Sequence, residues 1–117
     1  MEPLIIEATK WTPKIILDAP NNKFEITGKS LPENVVEFYK PVREWFQAYS
    51  RDPNPKTDLV ILYQYLNTAS VKMIFSILLE IGKTFDKKSD LSVKWYYKKD
   101  SEDIEEIGEE FADMLSI

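Results

Sequence analysis

The stretch of residues 58–79 constrains the fold more than any other part of the chain. Residues 58–66 read DLVILYQYL, an almost unbroken run of aliphatic, β-branched and aromatic side chains with the length of a strand. Such a run is typical of a strand that is covered on both faces, and we expect it to be the central strand of a sheet. Residues 67–70 read NTAS, and Asn, Thr and Ser side chains satisfy the free N–H groups at a helix start. The sequence therefore predicts a turn after the strand and a helix from residue 71.

Thr68 lies at this predicted junction. A strand that leads into a helix presents a hydroxyl beside free backbone N–H groups and the positive end of the helix dipole, where an anion is well tolerated. The commoner role of a threonine before a helix is to cap it, and the alternative is that Thr68 carries or binds a phosphate. Ser70 offers a second hydroxyl close by and competes with Thr68 for that role.

The composition excludes several common kinds of catalytic and metal-binding site. The chain has no cysteine and no histidine, which removes disulfides, thiol catalysis, zinc-thiolate sites and the commonest general base. Its three glycines, Gly28, Gly82 and Gly108, are too far apart for a glycine-rich phosphate loop. Acid pairs such as Glu105 and Glu106 are adjacent in sequence and so do not share a helical face. We therefore predict no enzymatic activity, no metal site and no cofactor.

The charge and hydropathy patterns bear on partners and location. A net charge of −5 argues against a surface that binds nucleic acid or an anionic membrane. The longest apolar region, residues 71–81, is interrupted by Lys72, Ser76 and Glu80, so we expect neither a signal peptide nor a membrane span. The sequence therefore favours a cytoplasmic protein that does not insert into a membrane.

The remaining patterns predict the order of elements around the central strand. Residues 1–13 are expected to form an N-terminal arm, and residues 14–117 a single domain. A β-hairpin is predicted at residues 14–27, ended by Gly28, and the helical period that follows contains Pro41, where we expect a kink or restart. A further strand at residues 91–97 and an acidic helix from about residue 100 complete the chain. The predicted fold class is α/β with the order β-β-α-β-α-β-α, a mixed four-stranded sheet with parallel third and fourth strands, and helices packed on it.

Two segments leave alternatives open. The helix after residue 70 carries too many apolar residues for one stripe, so it is either covered on several sides or exposes an apolar flank where a partner docks beside Thr68. Residues 101–117 contain seven acids and no base, which fits a solvated face or a partner-docking surface. In the aromatic cluster at residues 95–97, packing is favoured over a ligand platform. The alternation puts Tyr96 on the opposite face from its two neighbours, so we expect at least one aromatic of the cluster near the surface.

Four features together resemble the SiaC family of bacterial regulatory phosphoproteins. They are PEN at residues 32–34, YLNTAS at 65–70, VKWYY at 93–97 and the acidic amphipathic end. The resemblance covers about residues 10–117 and implies a small single domain with a fold similar to that of STAS domains.

The resemblance also implies how such a protein acts. By the match to the Leu-Asn-Thr motif, Thr68 is the phosphoacceptor, which a partner kinase phosphorylates and a PP2C-type phosphatase dephosphorylates. The unphosphorylated form is expected to bind and activate a diguanylate cyclase, which links the protein to biofilm and aggregation control. Ala69 stands where another small hydroxyl residue is expected. The residues expected to contact the partner are Asn67, Ala69, Ser70, Lys72, Met73 and Tyr96.

Two other functions fit the same residues. One is an antagonist of an anti-sigma factor of STAS type, with a similar fold and switch but a different partner. The other is a STAS-like module that binds a small ligand or nucleotide and uses the helix start as a passive anion site.

Overall fold

The computed structural model of the chain describes residues 2–84 and 90–115. Five strands and three helices form one α/β sandwich. In chain order they are β1 (Leu4–Ile6), β2 (Lys14–Asp18), β3 (Lys23–Ser30), α1 (Val35–Tyr49), β4 (Lys56–Leu66), α2 (Thr68–Thr84), β5 (Asp90–Tyr96) and α3 (Glu102–Leu115).

The sheet is mixed and its strands lie in sequence order, β1-β2-β3-β4-β5. The first three strands are antiparallel neighbours, whereas β3, β4 and β5 run parallel. The predicted hairpin, the three helices and the parallel pair joined by α2 are confirmed. The prediction of four strands is wrong, because the arm supplies a fifth: Leu4–Ile6 pairs with β2 and places Ile6 opposite Ile15. Three residues are too few to show a hydrophobic period, so the sequence does not indicate this strand. It forms because it pairs with β2.

The three helices cover one face of the sheet. Phe24 of β3 contacts Trp45 of α1, and Trp95 of β5 contacts Phe111 of α3. In β4, Leu59 and the other residues on this face are buried, while the alternate residues are only partly covered. The expectation that β4 is covered on both faces is therefore wrong.

On the open face Val60 lies between Glu25 and Lys94, and Leu62 lies between Thr27 and Tyr96. These cross-strand neighbours shield the two apolar side chains in part, which is why an apolar run is compatible with one solvated side.

Helix α1 continues through Pro41 as a single element, so of the expected kink or restart the restart is wrong, while the kink stays a prediction. Asn34 caps its start, with the Oδ1 atom accepting the Glu37 N–H at 3.1 Å. Pro41 removes the donor that would reach the Glu37 carbonyl. Both residues are exposed, so water can satisfy that carbonyl and the helix need not end.

Helix α2 lies between α1 and α3 and packs on the sheet beneath. An ion pair between Arg43 and Glu80, 3.0 Å apart, joins α1 to α2. The ring of Phe75 contacts Phe111 of α3, so apolar residues of α2 face the sheet, α1 and α3, as the first of the two alternatives for this helix expected. Docking of a partner on the part of α2 that remains exposed stays a prediction. Its buried residues are Ile74, Ile77, Leu78 and Ile81, while Leu79 is 38% exposed.

Strand β3 continues past Gly28, which was expected to end it. Gly28 has a φ of 120°, a conformation that side chains with a Cβ rarely adopt. The register with β4 shifts between Gly28 and Lys29, as in a β-bulge. The bulge carries the strand on to Ser30, which reaches the start of α2.

Candidate functional site

The junction between β4 and α2 is built around Asn67. Its Oδ1 atom accepts the Ser70 N–H at 2.8 Å and its carbonyl accepts the Val71 N–H at 3.0 Å. The backbone N–H of Asn67 donates to the Ser30 carbonyl at 3.2 Å. Asn67 is therefore the N-cap of α2, and the helix begins three residues earlier than expected.

Thr68 is the first residue of this helix and not its cap. Its side chain is exposed, and within the described part of the chain its hydroxyl has no hydrogen-bond partner. The N–H groups of Thr68 and Ala69 belong to the first turn, where no carbonyl of the helix can accept them. The first turn carries no acidic residue, and Lys72 lies one turn further on the same side. A phosphoryl group at Thr68 would thus meet free donors, the positive end of the helix dipole and a nearby cation.

Beneath Thr68 lies a chain of four buried hydroxyls. Ser70 donates to the Ser30 carbonyl at 3.0 Å and accepts from the Ser30 hydroxyl at 2.8 Å. Since Ser30 uses its hydrogen on Ser70, it must accept from Tyr39, whose oxygen is 2.6 Å away. Tyr39 in turn accepts from Tyr63 at 3.0 Å. The chain runs in one direction and ties the start of α2 to β3, α1 and β4.

Burial controls the ionisation of the two tyrosines in this chain. The pKa of Tyr39 is raised by burial, which outweighs the opposing hydrogen bonds from Ser30 and Tyr63. The pKa of Tyr63 is raised well above its ordinary value, first by burial and then by its neighbour Tyr39. Both stay neutral at physiological pH, so the chain holds geometry and supplies neither a base nor an anionic nucleophile.

The structure brings most of the expected partner-contacting residues to one place. Ala69 and Lys72 are exposed beside Thr68, while Asn67 and Met73 are partly buried. Ser70 is completely buried, so its side chain is inaccessible to a kinase or a partner in this conformation.

Tyr96 lies apart from these residues. It is 53% exposed, which confirms that at least one aromatic of the cluster at residues 95–97 stays near the surface. Its neighbour in the sheet is Leu62, on the open face away from α2. The structure therefore does not place Tyr96 on the same surface as Thr68.

Two concavities near the junction were not predicted. The first, which we call the acidic groove, has a volume of about 1060 Å³ and includes Asn67 in its wall. Its described lining holds two carboxylates and no Lys or Arg. The lining residues are Thr9, Trp11, Thr12, Leu31, Pro32, Glu33, Asn34, Glu37, Phe38 and Asn67.

The second concavity, which we call the basic pocket, lies on the open face of the sheet and measures about 370 Å³. Its described lining holds Lys10, Lys14 and Lys29 and no acid. Thr9 and Thr12 line both concavities. The loop at residues 8–12 therefore separates a negative from a positive surface. Sequence patterns missed both, since they depend on how this loop folds back over β2 and β3.

Local hydrogen bonds give this loop its shape. The Thr9 hydroxyl accepts the N–H groups of Trp11 and Thr12 at 3.1 and 3.0 Å, and the Leu31 N–H donates to the Trp11 carbonyl at 2.7 Å. Threonine side chains often accept the N–H groups of residues two and three positions ahead and so favour a turn. The presence of Thr9 is therefore a sequence signal that could have indicated a turn here.

Residues 2–84 and 90–115 offer no group of three or more Asp or Glu side chains arranged to hold a metal ion. Within the same ranges, none of the helices has the length and hydropathy needed to span a membrane.

Comparison with known proteins identifies the family. The model of a family described as SiaC family regulatory phosphoprotein matches residues 6–117. An uncharacterized protein of Pseudomonas aeruginosa (strain UCBPP-PA14) is 30% identical over 116 residues, which cover 99% of this chain and 92% of that protein. The structure of SiaC of Pseudomonas aeruginosa superposes with a TM-score of 0.86 at 29% identity, over 97% of this chain and 92% of that one.

A second structure adds a partner for a relative. A chain in the crystal structure of the diguanylate cyclase SiaD in complex with its activator SiaC, also from Pseudomonas aeruginosa, matches with a TM-score of 0.88 at 30% identity, over 97% of this chain and 93% of that one. The family match spans nearly the whole chain, and the solved relatives share its fold. The chain described here belongs to the SiaC family of regulatory phosphoproteins.

Proposed function

We propose that this protein is a non-enzymatic switch in which reversible phosphorylation of Thr68 controls binding to and activation of a diguanylate cyclase. The observation that carries the proposal is the state of the Thr68 hydroxyl. Asn67 caps the helix, which leaves Thr68 exposed and without a hydrogen-bond partner among the described residues. A kinase can therefore modify Thr68 without breaking a contact that holds the fold.

The choice of effector follows from the relatives. A protein of the same family and fold, SiaC of Pseudomonas aeruginosa, forms a complex with the diguanylate cyclase SiaD as its activator. This favours a cyclase over the anti-sigma factor and the small ligand that the sequence left open. The proposal includes a partner kinase, a PP2C-type phosphatase, a cytoplasmic location, a STAS-like fold and a role in biofilm or aggregation signalling.

The physical basis of the switch is charge. A phosphate on threonine adds about −1.5 to −2 charges at pH 7. At Thr68 this charge would lie on the exposed first turn of α2, whose apolar side is already covered by the sheet, α1 and α3. The modification would thus alter a surface and leave the core intact, as a reversible switch requires.

The two buried tyrosines of the chain support the absence of catalysis. The buried tyrosines are held neutral, because burial raises the pKa of both Tyr39 and Tyr63. The protein is accordingly expected to act by binding alone. Nucleotide turnover or stoichiometric zinc that survives rigorous purification would overturn this part of the proposal.

Labelling by the partner kinase tests the site. Wild-type protein and Ser76→Ala should incorporate one phosphate, while Thr68→Ala should incorporate none. Ser76 is the matched control, since it is an exposed hydroxyl further along α2. Undiminished labelling of Thr68→Ala would show that the phosphoacceptor lies elsewhere.

A further inference from the structure

We propose that the acidic groove is the docking surface for the partner kinase, which fills it with an apolar segment that carries basic side chains. This inference rests on the proposed function, because it takes from there that a kinase phosphorylates Thr68. It goes further by naming the surface through which the kinase recognises this protein and the chemistry of the segment that occupies it.

The groove borders the phosphoacceptor directly. Asn67, which immediately precedes Thr68, forms part of its wall. The other walls come from the loop at residues 8–12 and from residues 31–38, which lead into α1 and form its first turn. A kinase that reaches the Thr68 hydroxyl therefore also meets the groove.

The kinase meets Thr68 as part of a folded surface. The Oδ1 atom of Asn67 accepts the Ser70 N–H at 2.8 Å, and the buried Ser70 hydroxyl donates to the Ser30 carbonyl at 3.0 Å. These bonds hold the residues around Thr68 in a helical turn, so they are not presented as an extended segment. Recognition is therefore expected to use side chains that the fold brings together around the turn, and the groove supplies them from three separate parts of the chain.

The charge of the groove determines the charge of the segment that fills it. Glu33 and Glu37 are exposed, and within residues 2–84 and 90–115 neither carboxylate has an ion-pair partner. A segment that covers them removes water from two carboxylates, which costs free energy unless that segment supplies cations. The described lining contains no Lys or Arg that could take this part. The occupant must therefore bring basic side chains of its own.

Apolar surface in the groove provides the remaining contact. The Trp11 side chain is 56% exposed, and the half-buried apolar residues beside it are Leu31, Pro32 and Phe38. Exposed tryptophans in concave surfaces are frequent anchors of protein interfaces. The Trp11 carbonyl accepts the Leu31 N–H at 2.7 Å, so the backbone of the loop is held independently of the indole ring. The indole is therefore available to a partner.

The sign of the switch favours the kinase over the other two partners. A phosphate at Thr68 adds negative charge beside the groove, which would strengthen the binding of a basic segment of the cyclase where the switch requires it to weaken. The phosphatase meets the modified form and can bind the phosphoryl group itself. The kinase meets the unmodified threonine, so its affinity must come from the surrounding surface.

Steady-state kinetics of phosphorylation test the proposal with a matched control. Glu33→Gln/Glu37→Gln should raise the KM of the kinase for this protein at least about tenfold and leave kcat within about twofold, since the phosphoacceptor turn is unchanged. Glu106→Gln/Glu110→Gln changes the net charge equally at two exposed acids of α3 and should leave both constants within about twofold of wild type. Circular dichroism of all variants establishes that they are folded.

Two further measurements examine the apolar and the charged contact separately. Trp11→Ala should also raise KM, because it removes the apolar anchor and keeps the backbone bond to Leu31. The wild-type KM should rise with added salt, and Glu33→Gln/Glu37→Gln should show a shallower salt dependence.

The other two partners decide what the groove is for. Glu33→Gln/Glu37→Gln should bind the cyclase as tightly as wild type, and its phosphorylated form should be dephosphorylated at the wild-type rate. An unchanged KM for the kinase, with or without loss of cyclase binding or of dephosphorylation, overturns the kinase-docking proposal and leaves the Thr68 switch standing. Failure of wild-type protein to accept a phosphate at Thr68 overturns the proposed function itself.

Discussion

Ser70 donates its hydroxyl hydrogen to the carbonyl of Ser30 at 3.0 Å and accepts one from the Ser30 hydroxyl at 2.8 Å. This reciprocal pair fastens the first turn of α2 to the end of β3. Through Tyr39 and Tyr63 it continues into α1 and β4. Thr68, two residues before Ser70, is thereby presented on a turn that is fixed from below. The serine that resembles a second phosphorylation site in the sequence serves as the anchor of the first.

The anchor can be weakened from a distance by Tyr39→Phe. This variant removes the acceptor of the Tyr63 hydroxyl and the donor to the Ser30 hydroxyl, which keeps its bond to Ser70, and it should lower the free energy of unfolding by about 1–3 kcal/mol. It should also increase hydrogen exchange at the Ala69 amide, because the start of α2 is less firmly held. Urea unfolding and amide exchange measure the two effects.

Tyr49→Phe is the control for Tyr39→Phe. The Tyr49 hydroxyl accepts the Asn54 N–H at 3.0 Å and lies 2.8 Å from the Thr57 hydroxyl, near the opposite end of β4. The variant should lose comparable stability without raising exchange at Ala69. Equal exchange at Ala69 in both variants would show that the hydroxyl chain does not position the turn.

The helix caps allow a second matched comparison. Asn67→Ala removes the acceptor for the Ser70 N–H, and Asn34→Ala removes the acceptor for the Glu37 N–H. Each should destabilise the protein by about 1 kcal/mol, the usual value of an N-cap. Only Asn67→Ala should also slow phosphorylation of Thr68 by the kinase, since only that cap holds the phosphoacceptor turn. Similar phosphorylation rates for both variants would contradict this role of Asn67.

The two helical glycines should respond to alanine in opposite ways. A Cβ at Gly82 meets no atom of residues 2–84 and 90–115 within 4 Å, so Gly82→Ala should stabilise the protein by up to about 1 kcal/mol through helix propensity. A Cβ at Gly108 would lie 2.7 Å from the Nε1 atom of Trp95, an indole that also donates to the Ile104 carbonyl at 2.9 Å. Gly108→Ala should therefore lower the melting temperature. A rise on both substitutions would mean that Trp95 and α3 separate without cost.

The buried tyrosines predict how stability changes at alkaline pH. Below pH 10 they are neutral in both the folded and the unfolded chain, and their contribution is fully present. Above the ordinary pKa of 10.0 the unfolded tyrosines ionise first, because burial raises the pKa of Tyr39 and Tyr63 in the folded protein. Stability should then fall by up to about 1.4 kcal/mol per pH unit for each tyrosine. Tyr63→Phe should reduce this slope in urea titrations above pH 10.

Tyr97 provides the contrast for that titration. Its pKa is raised chiefly by the carboxylate of Glu105 on α3, and its side chain is exposed. Salt should therefore lower its pKa, whereas the raised pKa values of the buried pair should persist. Absorbance titrations of tyrosinate measure the three pKa values. If salt lowers the pKa values of Tyr39, Tyr63 and Tyr97 alike, burial is not the cause of the raised pKa values of Tyr39 and Tyr63.

The local features of this protein could be predicted from its sequence. Residues 58–66 have the aliphatic, β-branched and aromatic side chains typical of a strand, and residues 67–70 include the polar side chains that cap helices. In the structure a strand and a helix meet at this point. The start of α2 was expected three residues too late, since Asn67, Thr68 and Ser70 are all acceptable cap residues and only the geometry decides among them. The restart expected at Pro41 was wrong for a related reason: the effect of the proline depends on whether the carbonyl that loses its donor reaches solvent.

Non-local features could not be predicted. β1 exists only through pairing with β2, and its three residues carry no signal of their own. The hydroxyl chain joins Ser30, Tyr39, Tyr63 and Ser70, which are distant in sequence and individually ordinary. The two concavities arise where the loop at residues 8–12 returns to the sheet. Each depends on the assembled fold, where sequence periodicity gives no information.

The most direct test of the central claim compares the affinity of the cyclase for unmodified protein and for protein fully phosphorylated at Thr68. Phosphorylation is expected to weaken binding more than a hundredfold, equivalent to about 3 kcal/mol. Unmodified Thr68→Ala should bind as tightly as unmodified wild type, and circular dichroism of the phosphorylated protein should be unchanged. Equal affinity of the phosphorylated and unmodified forms would contradict the claim that Thr68 is the switch.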